Sequence, residues 1–173
     1  MMIVRVYFSL MLVLGAVASA GAQISCTSAE VLSSIQIQAP ADSVWQQLVK
    51  VEAYPEWHTY ILNIEGELTL NNRIRVTYKT VDGDVHDFKA KVLSYEPGKL
   101  LTWGGRAGMF FSVQHYFKLE EIDAHTTLLT QGENWGGWFG KHYGEKVFTD
   151  ACTNFTQMNA ALKNRLENPA SDK

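Results

Sequence analysis

Between residues 62 and 135 the chain reads as one strand after another, and a single long amphipathic helix follows to cover them. That combination limits the fold more than any other feature. The strand runs are punctuated by short turn signals: Asn71-Asn72, Val81-Asp82-Gly83-Asp84, Glu96-Pro97-Gly98-Lys99 and Asp123-Ala124-His125, with a looser loop at Gly104-Gly105-Arg106-Ala107-Gly108. Connections this short join antiparallel neighbours, because parallel strands need long crossovers. The helix is marked by Val147, Ala151, Phe155, Met158, Leu162 and Leu166, which recur at steps of three and four over about twenty residues.

Upstream, Ser34-Ile35-Gln36-Ile37-Gln38-Ala39 alternates as a strand does, and Pro40 stops it. Asp42 or Ser43 can cap a first short helix, whose apolar stripe is Val44, Trp45, Leu48 and Val51. Tyr54-Pro55-Glu56-Trp57 redirects the chain, and a second short helix is expected over 56–61. The predicted fold is α+β: a curved antiparallel sheet of six or seven strands wrapped around the long C-terminal helix, with two short helices near the N-terminus. A sheet curved around one helix leaves room for a cavity between them, which the short helices can close at one end.

With 173 residues, 46% of them hydrophobic and 19% charged, the chain suits one globular domain. A formal net charge of −3 argues against a nucleic-acid partner. Residues 1–22 read as a signal peptide: Arg5, an apolar run from Val6 to Leu14, then Ala18-Ser19-Ala20 or Ala20-Gly21-Ala22 as a cleavage site. The apolar run is short for an uncleaved membrane anchor, and no later segment is long and apolar enough to span a bilayer. Residues 23–30 form an N-terminal arm, 31–167 the domain, and 168–173 a polar tail. Export, secreted or periplasmic, permits a disulfide between Cys26 and Cys152, which would tie the arm to the last helix; the alternative is a free buried Cys152.

Alternation sorts side chains by face. Ile74, Val76 and Tyr78 oppose Arg73, Arg75 and Lys79; His86, Phe88, Ala90 and Val92 oppose Asp87, Lys89 and Lys91. Leu101 and Trp103, then Val113, His115, Phe117 and Leu119, and finally Thr127, Leu129, Gln131, Glu133 and Trp135, share the inner face. The candidate ligand-binding residues are therefore Tyr78, His86, Phe88, Trp103, His115, Phe117, Gln131, Glu133 and Trp135. Phe155 joins them from the helix, and Trp57 and His58 are added from the end of the second short helix, where Trp57, like Trp45, is read either as a packing residue or as a ligand contact. Glu133 is the most informative, since a carboxylate rarely faces an apolar interior without a partner. It either orients a ligand or moves protons, with His115 as a second catalytic candidate, or it pairs with His115 or Arg106. His86, His115 and Glu133 lack metal-ligand spacing, so neither metal nor cofactor is expected. Trp138 and Phe139, among Gly136, Gly137 and Gly140, are read either as a turn or as an aromatic gate.

Several stretches carry a family likeness: Ile37-Gln38-Ala39-Pro40-Ala41-Asp42-Ser43-Val44-Trp45, Tyr54-Pro55-Glu56-Trp57, Tyr95 to Trp103, His115 to Glu120, and Thr126 to Glu133 leading into Gly136-Gly137. In this order they resemble the helix-grip fold of the START/Bet v 1-like superfamily, in particular its polyketide cyclase/dehydrase-like (SRPBCC) branch, over residues 31–166. His58 departs from the Asn often found after that Trp, and Asn72 from the Gly that often opens the second hairpin. The resemblance implies lipid carriers, hormone receptors or aromatase/cyclases. The expected function is an exported binding protein for a hydrophobic, lipid-like or aromatic small molecule. The alternatives are an aromatase/cyclase-like enzyme acting on a polyketide-like substrate and a non-catalytic structural or interaction module.

Overall fold

The computed structural model describes residues 22–27, 30–137 and 145–168. Eight antiparallel strands form one sheet: β1 (Gln23–Cys26), β2 (Glu30–Ile37), β3 (Ile61–Glu65), β4 (Arg73–Lys79), β5 (Val85–Glu96), β6 (Leu100–Ala107), β7 (Phe111–Asp123) and β8 (Thr126–Gly136). Their order is β1-β2-β8-β7-β6-β5-β4-β3, a meander from β3 to β8 whose last strand pairs with β2. Helices α1 (Ala41–Val49) and α2 (Tyr54–Trp57) lie between β2 and β3, joined by a 3₁₀ turn at Val51–Ala53, and α3 (Glu145–Glu167) covers the sheet. The α+β helix-grip arrangement is the one expected, with four local corrections.

The sheet has eight strands rather than six or seven, because the N-terminal arm adds β1 beside β2 in the register Gln23↔Ser34 to Cys26↔Val31. All four β1 residues are exposed, so the segment carries no burial pattern by which a sequence could announce it. It is clamped instead by a disulfide from Cys26 to Cys152 on α3. Next, Gly104 and Gly105 belong to β6 rather than to a loop; the turn follows at 108–110. A Cβ on Gly104 would strike the Val113 carbonyl, and one on Gly105 the ring of Phe88. These glycines serve close packing within a strand, which in sequence looks like a turn signal. Third, α2 lies one turn earlier than 56–61, since Pro55 suits the first turn of a helix. Finally, α1 begins after Pro40 with no side-chain cap from Asp42 or Ser43.

Helix α3 grips the sheet unevenly. Its C-terminal half is stitched down: Asn159 donates to the Ser33 hydroxyl (3.0 Å), Lys163 to the Gln36 carbonyl (2.7 Å), and the Gln38 amide to Glu167 (2.7 Å). Arg165 reaches Gln47 and Glu56. Met158 and Leu162 are fully buried between these anchors. The N-terminal half is held by the Cys26–Cys152 disulfide and by Phe148, whose ring meets Trp135 of β8 edge-on with centroids 5.1 Å apart, while Val147 and Ala151 are half-buried. Val147 and Ala151 face a cavity between the helix and the sheet.

Residues 1–21 of the expected signal peptide, the possible gate residues Trp138, Phe139 and Gly140, and most of the expected polar tail lie outside the described residues. Among the described residues, no helix is long and apolar enough to cross a membrane.

Candidate ligand cavity

Between α3 and the sheet lies a cavity of about 460 Å³. Cross-strand pairing builds its floor: Val76 faces Phe88, Tyr78 faces His86, Trp103 faces His115, and His115 faces Glu133. Trp103 stacks on His115 with ring centroids 4.8 Å apart, and Phe155 of α3 meets the same imidazole edge-on at 5.2 Å. Ile61, Phe111, Val113 and Trp135 complete the apolar wall, while Val147, Asp150, Ala151 and Asn154 line it from α3.

One polar chain runs along the wall. Glu133 Oε2 lies 3.1 Å from His115 Nδ1, and the far ring nitrogen, Nε2, lies 3.4 Å from the Gln131 side-chain nitrogen. That same amide nitrogen donates to the Tyr60 hydroxyl at 2.7 Å. The tautomer that satisfies both contacts carries its proton on Nδ1, donates it to Glu133 and accepts from Gln131 at Nε2. The Tyr60 oxygen is thus an acceptor for Gln131, which leaves its own hydrogen to be donated. Burial, reinforced by the Glu133 charge, pushes the Tyr60 phenol well above its ordinary 10.0 even though the Gln131 bond opposes this. Tyr60 is a donor and remains protonated. The Gln131 carbonyl oxygen is buried without a partner.

Of the sequence candidates, Tyr78, His86, Phe88, Trp103, His115, Glu133, Trp135 and Phe155 line the cavity. Phe117 and Gln131 are fully buried behind the wall, where Phe117 packs edge-on to both Trp103 and His115. Trp57 and His58 also stand back from the lining, in an aromatic stack with Tyr54. His86 is exposed at the rim and tilts against Tyr78. Arg106 is exposed and does not reach Glu133, whose partner is His115. Tyr60, Thr80, Asp150 and Asn154 were not singled out. Asp150 and Asn154 sit beside Val147 and Ala151 at steps of three and four, so the helical period contained that signal. Tyr60 fell in a segment read as helix. Among the described residues, no three His, Cys, Asp or Glu side chains gather as a metal site.

His58 has a structural task. Its Nδ1 accepts the Ile61 amide at 3.0 Å, at the entry to β3. Burial, with His115 nearby, lowers its pKa from the ordinary 6.5 to about 3. The unfolded chain therefore takes up a proton below pH 6.5 that the folded chain refuses until about pH 3. This group's contribution is flat above that window and destabilises as pH falls through it, by up to about 1.4 kcal/mol per pH unit. Urea unfolding from pH 7 downward should show that slope, and His58→Asn should remove it. A wild-type-to-variant difference that is constant with pH would contradict the assignment.

A model of the family described as polyketide cyclase/dehydrase and lipid transport matches residues 28–167. Comparison with curated proteins gives no significant match. Among solved structures, a protein from Rhodobacter sphaeroides superposes with a TM-score of 0.65 at 14% identity, over 84% of this chain and 97% of that one. A START superfamily protein from Mycobacterium smegmatis gives 0.63 at 19% identity, over 80% of this chain and 97% of its own. The di-domain ARO/CYC protein BexL gives 0.63 at 18% identity, over 83% of this chain and 48% of BexL. Identities this low speak for a shared fold. With the helix-grip architecture and a family match spanning nearly the whole described domain, the chain belongs to the polyketide cyclase/dehydrase and lipid transport family.

Proposed function

We propose that this protein is an exported carrier that holds one hydrophobic small molecule between the sheet and α3. The observation that carries the reading is the cavity of about 460 Å³, lined mainly by aromatic and aliphatic side chains with a few convergent polar groups. Such a lining suits an apolar body with one or two polar handles. The signal-like residues 1–22 support export. So does the Cys26–Cys152 disulfide, a bond that persists in oxidising compartments.

Solvent extraction of natively purified protein, followed by mass spectrometry, should recover a stoichiometric hydrophobic compound. The delipidated protein should bind a fluorescent apolar probe. Ala151→Trp, which projects an indole into the cavity from α3, should weaken that probe more than tenfold, about 1.4 kcal/mol or more, while melting close to the parent. Unchanged affinity in this variant would count against the cavity as the binding place.

A second reading, acid–base catalysis on a bound carbonyl compound, is favoured by the Glu133–His115–Gln131–Tyr60 chain. Tyr60 would polarise a carbonyl oxygen while Glu133 takes a proton from the adjacent carbon. Turnover lost in Glu133→Gln with probe affinity retained would support it.

A further inference from the structure

We infer that the cavity selects its ligand by charge, taking hydrophobic amines, with the ammonium seated against Glu133, and turning away hydrophobic carboxylates and phosphates. This rests on the carrier reading and adds the ligand's chemical class.

The described lining contains two carboxylates, Glu133 and Asp150, and neither Lys nor Arg. Asp150 is already answered by Lys146 at 3.0 Å, an exposed side chain that also reaches Asp82 at 2.8 Å. Glu133 has a different neighbour. In the tautomer with the proton on Nδ1 and Nε2 accepting from Gln131, His115 meets it through a neutral ring. The pair therefore keeps the carboxylate's negative charge inside an aromatic chamber. The Glu133 side chain is 22% exposed, so part of it remains open to the cavity. Trp103, Trp135, Tyr60, Phe111 and Phe155 line the same cavity.

A carboxylate among ring faces is a setting for a cation, which gains from the charge and from the negative faces of the rings. A neutral alcohol can donate to Glu133 but lacks the charge. An anionic head would lose its water, find no cation among these residues, and lie against a like charge. Tyr60 offers a hydrogen-bond donor to a neutral acceptor group elsewhere on the ligand.

The test uses three naphthalene probes of matched size, naphthylethylamine, naphthylethanol and naphthylacetate, titrated at pH 7 into delipidated wild-type protein and Glu133→Gln. In the wild type, the amine should bind about tenfold more tightly than the alcohol, and the carboxylate at least about tenfold more weakly. In Glu133→Gln the amine should lose its advantage over the alcohol. The wild-type order decides the matter without any variant, so a poorly folded mutant does not shelter the proposal. A carboxylate that binds as tightly as the amine overturns it, as does an amine preference that survives in folded Glu133→Gln. If the alcohol binds and no charge order appears, only this inference fails. If none of the three binds, the carrier reading fails and takes the inference with it.

Discussion

Severing the bond between Cys26 and Cys152 should lower the unfolding free energy by about 4 kcal/mol, the largest effect expected of any change outside the core. The two cysteines are 126 residues apart, so the bridge closes nearly the whole domain into one loop and strongly restricts the unfolded chain. In the folded state it holds β1, an edge strand with no buried residue, against both β2 and α3. Urea denaturation of the Cys26→Ser, Cys152→Ser double variant, and of the wild type with and without reductant, measures the loss. The two routes should agree. A cost below about 1 kcal/mol would mean that the β1–β2 pairing holds the arm without help.

Phe155→Ala should cost about 3–5 kcal/mol in the empty protein and less when an apolar ligand is present. Phe155 is 2% exposed, stacks on Tyr60 with centroids 5.9 Å apart, and meets His115 edge-on, so its ring belongs to the core and to the cavity wall at once. Removing it joins a new apolar void to the existing space, and voids of this kind accept apolar guests. Thermal melts with and without a saturating apolar probe check both halves. The probe should raise the melting temperature of the variant by more than it raises that of the wild type, through mass action on a site that gains from being filled. Equal shifts in the two proteins would separate Phe155 from the binding place.

The comparison of sequence with structure turns on what each signal measures. Val76, Phe88, Trp103, His115, Glu133 and Trp135 could be assigned to the inner face because strand period places alternate residues on one side. The same period also collected Phe117 and Gln131, which share that face but lie deeper, behind the cavity wall. A period of two separates inside from outside and carries no information on depth. The family resemblance links His58 to the pocket mouth, whereas the structure packs it on Tyr54; Trp57 packs on the same ring, the packing alternative of its two readings. Gly104 and Gly105 show the reverse error: residues that permit a turn also permit close approach, and only the neighbours Val113 and Phe88 reveal which is meant.

The sequence by itself determined the architecture, the inward residues of each strand and the stripe of α3, because periodicity and turn chemistry are local and survive without knowledge of any partner. Only the folded chain shows that α3 is tied down at Asn159, Lys163 and Glu167 and lines a cavity at Val147 and Ala151. It also decided that Glu133, His115, Gln131 and Tyr60 form one chain. Both depend on contacts between segments some 70 to 130 residues apart. Distances over such separations are set by how the whole sheet curves, which no window of sequence contains.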